Sequence, residues 1–146
     1  KMYVAAKGLG AYLIRDVEPK EDSSLNQKEI EHLLERLPLE SASHEEFRVA
    51  VSRSHQTIET AEYVERMRAQ HPNIEVIEQG SSYKFCLLAE GSVDYYVRTT
   101  TTSEWDTAAG ELILREAGGT TYDYTSGTPL LYNKESLDNP WFIARR

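Results

Sequence analysis

Cysteine is nearly missing from this chain. The single Cys86 among 146 residues excludes an internal disulfide and any paired-cysteine metal motif. Its setting, "FCLLA", is that of a thiol packed in a core, which favours a reducing compartment. Basic residues are also in deficit, since 16 Lys and Arg face 24 Asp and Glu for a formal net charge of −8. That balance argues against a broad electrostatic footprint for nucleic acid. An anionic ligand would need a locally basic site or a metal. No apolar run is long enough to span a bilayer, and no targeting segment opens the chain, which begins at Lys1 and reads as structure at once. A P-loop, a dinucleotide fingerprint and a Ser-His-Asp order are missing as well, and "KGLGAY" is better explained as a hairpin turn than as a phosphate loop.

What is present reads as one α/β domain, since this length with 40% hydrophobic residues supports a real core and requires no second one. "MYVAA", a turn at "KGLG" and "AYLIRD" predict a hairpin. Residues 17–45 form an excursion in which Leu25, Ile30, Leu33, Leu34 and Leu37 lie near helical spacing, predicting a short surface helix stopped by Pro38. "FRVAVS" alternates as a strand, and Thr57 can cap the helix "IETAEYVERMRAQ" that follows the polar loop "RSHQT". "IEVIEQG" supplies another strand, "SYKFCLLAEG" a helix begun near Ser81 or Ser82, and "VDYYVRT" a further strand. After the threonines at 99–102, a helix from about Trp105 to Ala117 is closed by Gly118 and Gly119. Short strands are expected at "TTYDY", "PLLY" and "WFIAR". Alternating strands and helices predict a mixed β-sheet flanked by helices.

Asp106 falls in the first turn of the Trp105 helix, where exposed amides favour an anion. Stabilising the helix is the commoner task of such a residue. The alternative is ligation of a hard cation, because Mg²⁺ takes oxygen ligands and uses few carboxylates together with substrate phosphate. Three details raise that alternative: Ala108, Ala109 and Gly110 allow close approach, Trp105 adds a flat wall, and Leu112, Ile113 and Ala117 offer a core-facing stripe. "VSRSH" places Ser52, Arg53, Ser54 and His55 just past a strand, where ligands bind in open α/β sheets. "GSSYK" sets Ser81, Ser82 and Lys84 at a second strand-to-helix turn, and Arg98 ends a third strand with a fork suited to phosphate. Singly, each segment reads as a solvated loop or a surface ion pair. Together they outline a basic, hydroxyl-rich rim on an acidic protein. His32, His44 and His71 lie in polar stretches without ligand spacing and are expected to be exposed.

"WDTAAGELILREAGG" resembles the second signature of the lithium-sensitive, Mg²⁺-dependent phosphatases related to inositol monophosphatase. Adding "VSRSH", "GSSYKFCLLAEG", "DYYVR" and the late "NPWF", the chain is similar more narrowly to the CysQ-type 3′(2′),5′-bisphosphate nucleotidases. The resemblance runs from about "FRVAVS" onward and does not extend to the excursion. It implies the carboxyl-terminal half of the layered sugar-phosphatase fold, with Asp106 as catalytic residue and Mg²⁺ ligand. Ser81, Lys84 and Arg98 would contact the nucleotide phosphate or ribose, and His55 would sit against the nucleoside. The implied reaction removes the 3′-phosphate of 3′-phosphoadenosine 5′-phosphate by in-line attack of a metal-activated water, in the cytoplasm or peripherally on the inner face of the plasma membrane.

The sequence departs from that pattern in one respect: the family's first signature, Asp-Pro-x-Asp-Gly-Thr, and an upstream acidic residue are absent. Residues 1–146 are therefore expected to be a single carboxyl-terminal nucleotide-binding domain whose amino-terminal, metal-binding half lies elsewhere. Alone it is expected to be inactive, and strands left without neighbours could pair two copies into a homodimer. Phosphatases for inositol phosphates or fructose bisphosphate, and a non-catalytic adenine-nucleotide-binding module, are the competing readings.

Overall fold

The computed structural model describes residues 1–15, 32–40 and 45–146. Strands β1 (Met2–Ala6) and β2 (Gly10–Ile14) form the expected hairpin, with Ala6 opposite Gly10. Its turn needs left-handed backbone, which Gly8 and Gly10 supply at φ of 78° and 91°. Strand β3 (Leu34–Arg36) pairs antiparallel with β2. That corrects the helix expected up to Leu37: the free edge of β2 offers ladder partners to residues 34–36, and pairing overrides the local periodicity. Residues 32–33 have helical backbone, and the rest of the expected helix lies outside the described residues, as does His44.

A second sheet follows the alternation expected for it. Its elements are β4 (Phe47–Ser52), helix α1 (Ile58–Gln70), β5 (Ile74–Gln79), helix α2 (Tyr83–Glu90) and β6 (Tyr95–Arg98). Thr57 caps α1 by accepting the Thr60 N–H at 3.2 Å. The chain continues through β7 (Thr102–Ser103), helix α3 (Glu104–Glu116), β8 (Thr120–Asp123), β9 (Asp138–Asn139) and β10 (Phe142–Arg145). The five-stranded sheet has the order β5-β4-β6-β10-β8, parallel across β5, β4 and β6 and antiparallel beyond. No strand forms at "PLLY", where Pro129 makes one isolated bridge to Tyr122; proline has no N–H to extend a ladder, and Leu131 faces solvent.

Four layers result. Helices α2 and α3 lie between the sheets, packed on one by Phe85, Leu88, Leu114 and Phe142 and on the other by Ala11, Leu13, Ala89 and Ala117. Helix α1 covers the far face of the five-stranded sheet through Val64 against Val49, Val51 and Val97. Along β4 the side chains alternate, Val49 and Val51 toward α1 and Ala50 toward α2 and α3. Two carboxylates clasp the three-stranded sheet to the helical layer. Glu90 accepts from Lys1 Nζ at 2.9 Å and from the Tyr3 hydroxyl, and Glu116 accepts the Gly8 and Gly10 amides at 3.0 and 3.1 Å. Gly110 is built into the same packing: a Cβ there would lie 2.8 Å from Phe85 Cδ2. Its smallness does allow close approach, and what approaches is the Phe85 side chain of α2 rather than a backbone or a ligand.

Candidate functional site

Register assembles the site. Because β4 is parallel to both neighbours, its last residue Ser52 stands level with Gln79 of β5 and, continuing the Ala50–Tyr96 pairing, with Arg98 of β6. The three connections then diverge, β4 running into α1 on one face and β5 into α2 on the other, which makes this edge a switch point in the topology. A cleft of about 370 Å³ opens there. Ser81, Lys84, Arg98, His55 and Asp106, the five residues singled out from sequence, all line it, together with Ser52, Tyr96 and Trp105.

Arg98 donates to Ser52 Oγ, and its Nε is buried with no partner among the described residues. Lys84 is only 2% exposed and does not project freely: Nζ donates to Gln79 O at 2.9 Å and Ser81 O at 2.8 Å, and lies 4.7 Å from the centre of the Tyr96 ring. Burial, with the Arg98 charge beside it, lowers the Lys84 ammonium to about 8. This lysine therefore pins the 79–82 turn and places positive charge behind it. Ser81 is held at φ 63°, a conformation that costs a non-glycine residue energy and is held by its surroundings. Burial raises the Tyr96 hydroxyl to about 12, so it stays a neutral donor, and it raises the Cys86 thiol to about 11, as expected for a packed cysteine.

Asp106 stands at N3 of α3, exposed on the opposite wall, where its Oδ2 accepts the Ser103 N–H at 2.9 Å, the reciprocal arm of a capping box. Both sequence readings of this residue are thus compatible, because one oxygen serves the helix while the carboxylate faces the cleft. Trp105 is 71% exposed beside it. Of the core-facing stripe expected at Leu112, Ile113 and Ala117, Ala117 is buried and the half-buried Ile113 packs against the same cluster, while Leu112 is half-buried and the fully buried positions within α3 are Glu104, Thr107, Gly110, Glu111 and Leu114. His55 is exposed on the rim, whereas His71, expected to be exposed, is half-buried and stacked 3.7 Å from Phe47.

A two-metal clamp needs ions about 4 Å apart held by several ligands. Among the described residues Asp106 is the one carboxylate lining the cleft, and no group of three His, Cys, Asp or Glu side chains among them could hold a metal ion. The described residues do not by themselves fit such a centre. What they can do is bind and orient an anion between Arg98, the 80–82 turn and the start of α3.

Sequence reasoning missed the supports of that wall. Glu104 accepts from the backbone of Asn133 at 2.6 Å and Lys134 at 3.2 Å, as well as from Lys134 Nζ. The Lys134 charge and those hydrogen bonds hold its carboxyl below the usual range. Asn139 contacts residues on both sides of Asp106. Both roles depend on contacts about thirty residues away; of the two, Asn139 alone carried a sequence signal, as the first residue of "NPWF".

Comparison with known proteins agrees with this architecture. CysQ from Bacteroides thetaiotaomicron, described as a bacterial member of the inositol monophosphatase family, superposes with a TM-score of 0.90 at 43% identity over 98% of this chain and 52% of that one. The Escherichia coli K12 3′(2′),5′-bisphosphate nucleotidase CysQ is 42% identical over 95 residues, 64% of this chain and 37% of that protein. An uncharacterised protein from the pss 5′ region of Rhizobium leguminosarum bv. phaseoli is 56% identical over 82 residues, 52% of this chain and 85% of that one. The chain thus spans between about a third and a half of these two CysQ proteins. Residues 1–141 match the family model for inositol monophosphatases, and the chain belongs to the inositol monophosphatase family.

Proposed function

We propose that the cleft is the nucleotide-binding part of a Mg²⁺-dependent 3′(2′),5′-bisphosphate nucleotidase. The reaction is 3′-phosphoadenosine 5′-phosphate plus water giving AMP and phosphate. The observation that carries this reading is the convergence of Ser81, Lys84, Arg98, His55 and Asp106 on one cleft at the ends of three parallel strands. Identity of 42–43% to two CysQ proteins supports it.

In this reading Arg98, which lines the cleft beside Ser52, takes a phosphate with its guanidinium. The Ser81 and Ser82 segment offers amides and hydroxyls, and the buried Lys84 charge strengthens attraction toward anions in a site of low dielectric. His55 and Trp105 flank the nucleoside. Asp106 is one ligand of the magnesium site, whose further ligands come from outside the described residues. When bound, Mg²⁺ would activate water and neutralise phosphoryl charge. The chain acts as the carboxyl-terminal nucleotide-binding portion, with an amino-terminal half completing the centre, in a cytoplasmic setting. Among the described residues no helix is long and apolar enough to cross a membrane.

The test is phosphate release, with Mg²⁺, by the 146-residue chain alone and joined to an amino-terminal half of a CysQ relative, using 3′-phosphoadenosine 5′-phosphate, an inositol monophosphate and fructose 1,6-bisphosphate. Turnover of the nucleotide above the other two, in the joined protein alone, is expected. Preference for an inositol or fructose phosphate would overturn the substrate assignment. Tight binding of adenosine 3′,5′-bisphosphate by calorimetry, with no turnover in either form, would mark a binding module instead.

A further inference from the structure

Asn139 is 4% exposed and sits on β9, paired with Thr102 of β7. The two N–H groups of its amide nitrogen are shared among three acceptors: Ser103 O at 2.8 Å, Thr107 Oγ1 at 3.0 Å and Thr102 Oγ1 at 3.1 Å. A carbonyl only accepts, so the nitrogen of the amide must be the atom that faces Ser103 O. The three partners bracket Asp106. Ser103 is the residue whose N–H holds Asp106 Oδ2, and Thr107 follows Asp106 directly. Thr107, itself 2% exposed, is saturated: its hydroxyl donates to Glu104 O and accepts from Asn139 and from the Tyr132 hydroxyl at 3.2 Å. The other end of the Asn139 amide, Oδ1, is buried without a donor. All of its polar contacts are therefore spent on the start of α3.

We infer that Asn139 is the positioning residue for Asp106, fixing the turn that aims this carboxylate across the cleft at Arg98. The inference rests on the reading of Asp106 as a residue of the reacting centre. It concerns a different wall from the anion rim: Arg98, Ser81 and Lys84 line the cleft from β6, the turn before α2 and the first turn of α2, whereas the Asn139 amide bonds to residues 102, 103 and 107. Loss of the amide should therefore affect turnover and leave substrate affinity almost unchanged.

The experiment uses the catalytically competent protein carrying Asn139→Asp, which is isosteric but loses the donor, and Asn139→Leu, which removes all polarity. Either variant that folds decides the outcome. Expected is a fall in kcat of at least about tenfold, as small misplacements of reacting groups produce, with KM changed less than about twofold. Hydrogen exchange across residues 102–107 should be about tenfold or more faster, with β4 and β6 unaffected, because the Ser103 carbonyl loses the donor that holds this turn, and the Ser103 N–H is then no longer kept in place against Asp106. Unchanged exchange at 102–107 in a folded variant would overturn the inference, as would loss of affinity equal to the loss of turnover. Asp106→Asn is measured alongside. If that variant keeps full activity, the reading of Asp106 fails, while the exchange data still report whether Asn139 holds the turn.

Discussion

At the scale of single residues, the cleft depends on where charge is held. Lys84 is an ammonium enclosed by two backbone carbonyls and a tyrosine ring, with its pKa brought down to about 8 by burial and then by Arg98. Since the folded value lies below the ordinary lysine value of about 10.4, the cost of burying this charge is fully present below pH 8 and fades as pH rises through the unfolded value. Affinity for the anion should move the other way, with KM rising above about pH 8 as the charge is lost. Lys84→Met should remove that inflection from the pH profile, and a profile identical to the parent's would show that the charge plays no part. Arg98→Ala should raise KM by tenfold or more, about the 1.4 kcal/mol of a charged hydrogen bond. Asp106→Asn keeps an acceptor for the Ser103 N–H, so a melting temperature close to the parent's, with turnover abolished, is the expected pair of results.

Elements show how closely the helical layer is fitted. Gly→Ala within a helix normally gains up to about 1 kcal/mol, yet in α3 the sign should reverse at Gly110, where a Cβ would press on Phe85. Overpacking of this kind costs about 1–3 kcal/mol, and urea denaturation of Gly110→Ala should show a lower midpoint. A higher midpoint would mean that Phe85 moves aside freely. Strands β4, β5 and β6 and the three helices could be read in the sequence because their own side chains carry period 2 or 3.6, and the cleft residues because they sit at strand ends. Strand β3 could not, since residues 34–36 owe their state to the exposed edge of β2. Asn139 and Glu104 were hidden for a related reason: they act on partners brought near only by the completed fold. Gly110 was noticed for its smallness, but whether a ligand or a phenylalanine fills the space is decided by packing.

For the molecule as a whole, the two sheets are held unequally. The five-stranded sheet is buried on both faces by aromatic and branched side chains, whereas the three-stranded sheet is covered on one face, by a smaller cluster of Ala11, Leu13, Leu37, Ala89 and Ala117, helped by the Glu90 and Glu116 clasps. Amides of β1 and β2 should therefore exchange faster than those of β4 and β10, and equal protection throughout would contradict this hierarchy. The backbone donors of Gly8 and Gly10 hold the Glu116 carboxyl below its ordinary value. Its stabilisation is accordingly complete above that ordinary value and lost as pH falls through the lowered one, so acid should loosen the hairpin first. Among the described residues, finally, the lining of the cleft falls within residues 52–107, one unbroken stretch of chain. The exposed tip at Ser126 and Gly127, braced by hydrogen bonds to Asp123 and Thr128, lies outside it and is a natural insertion point for a fluorescent reporter: a guest domain there would lengthen the polypeptide without entering the cleft, giving a sensor whose recognition part keeps its native sequence.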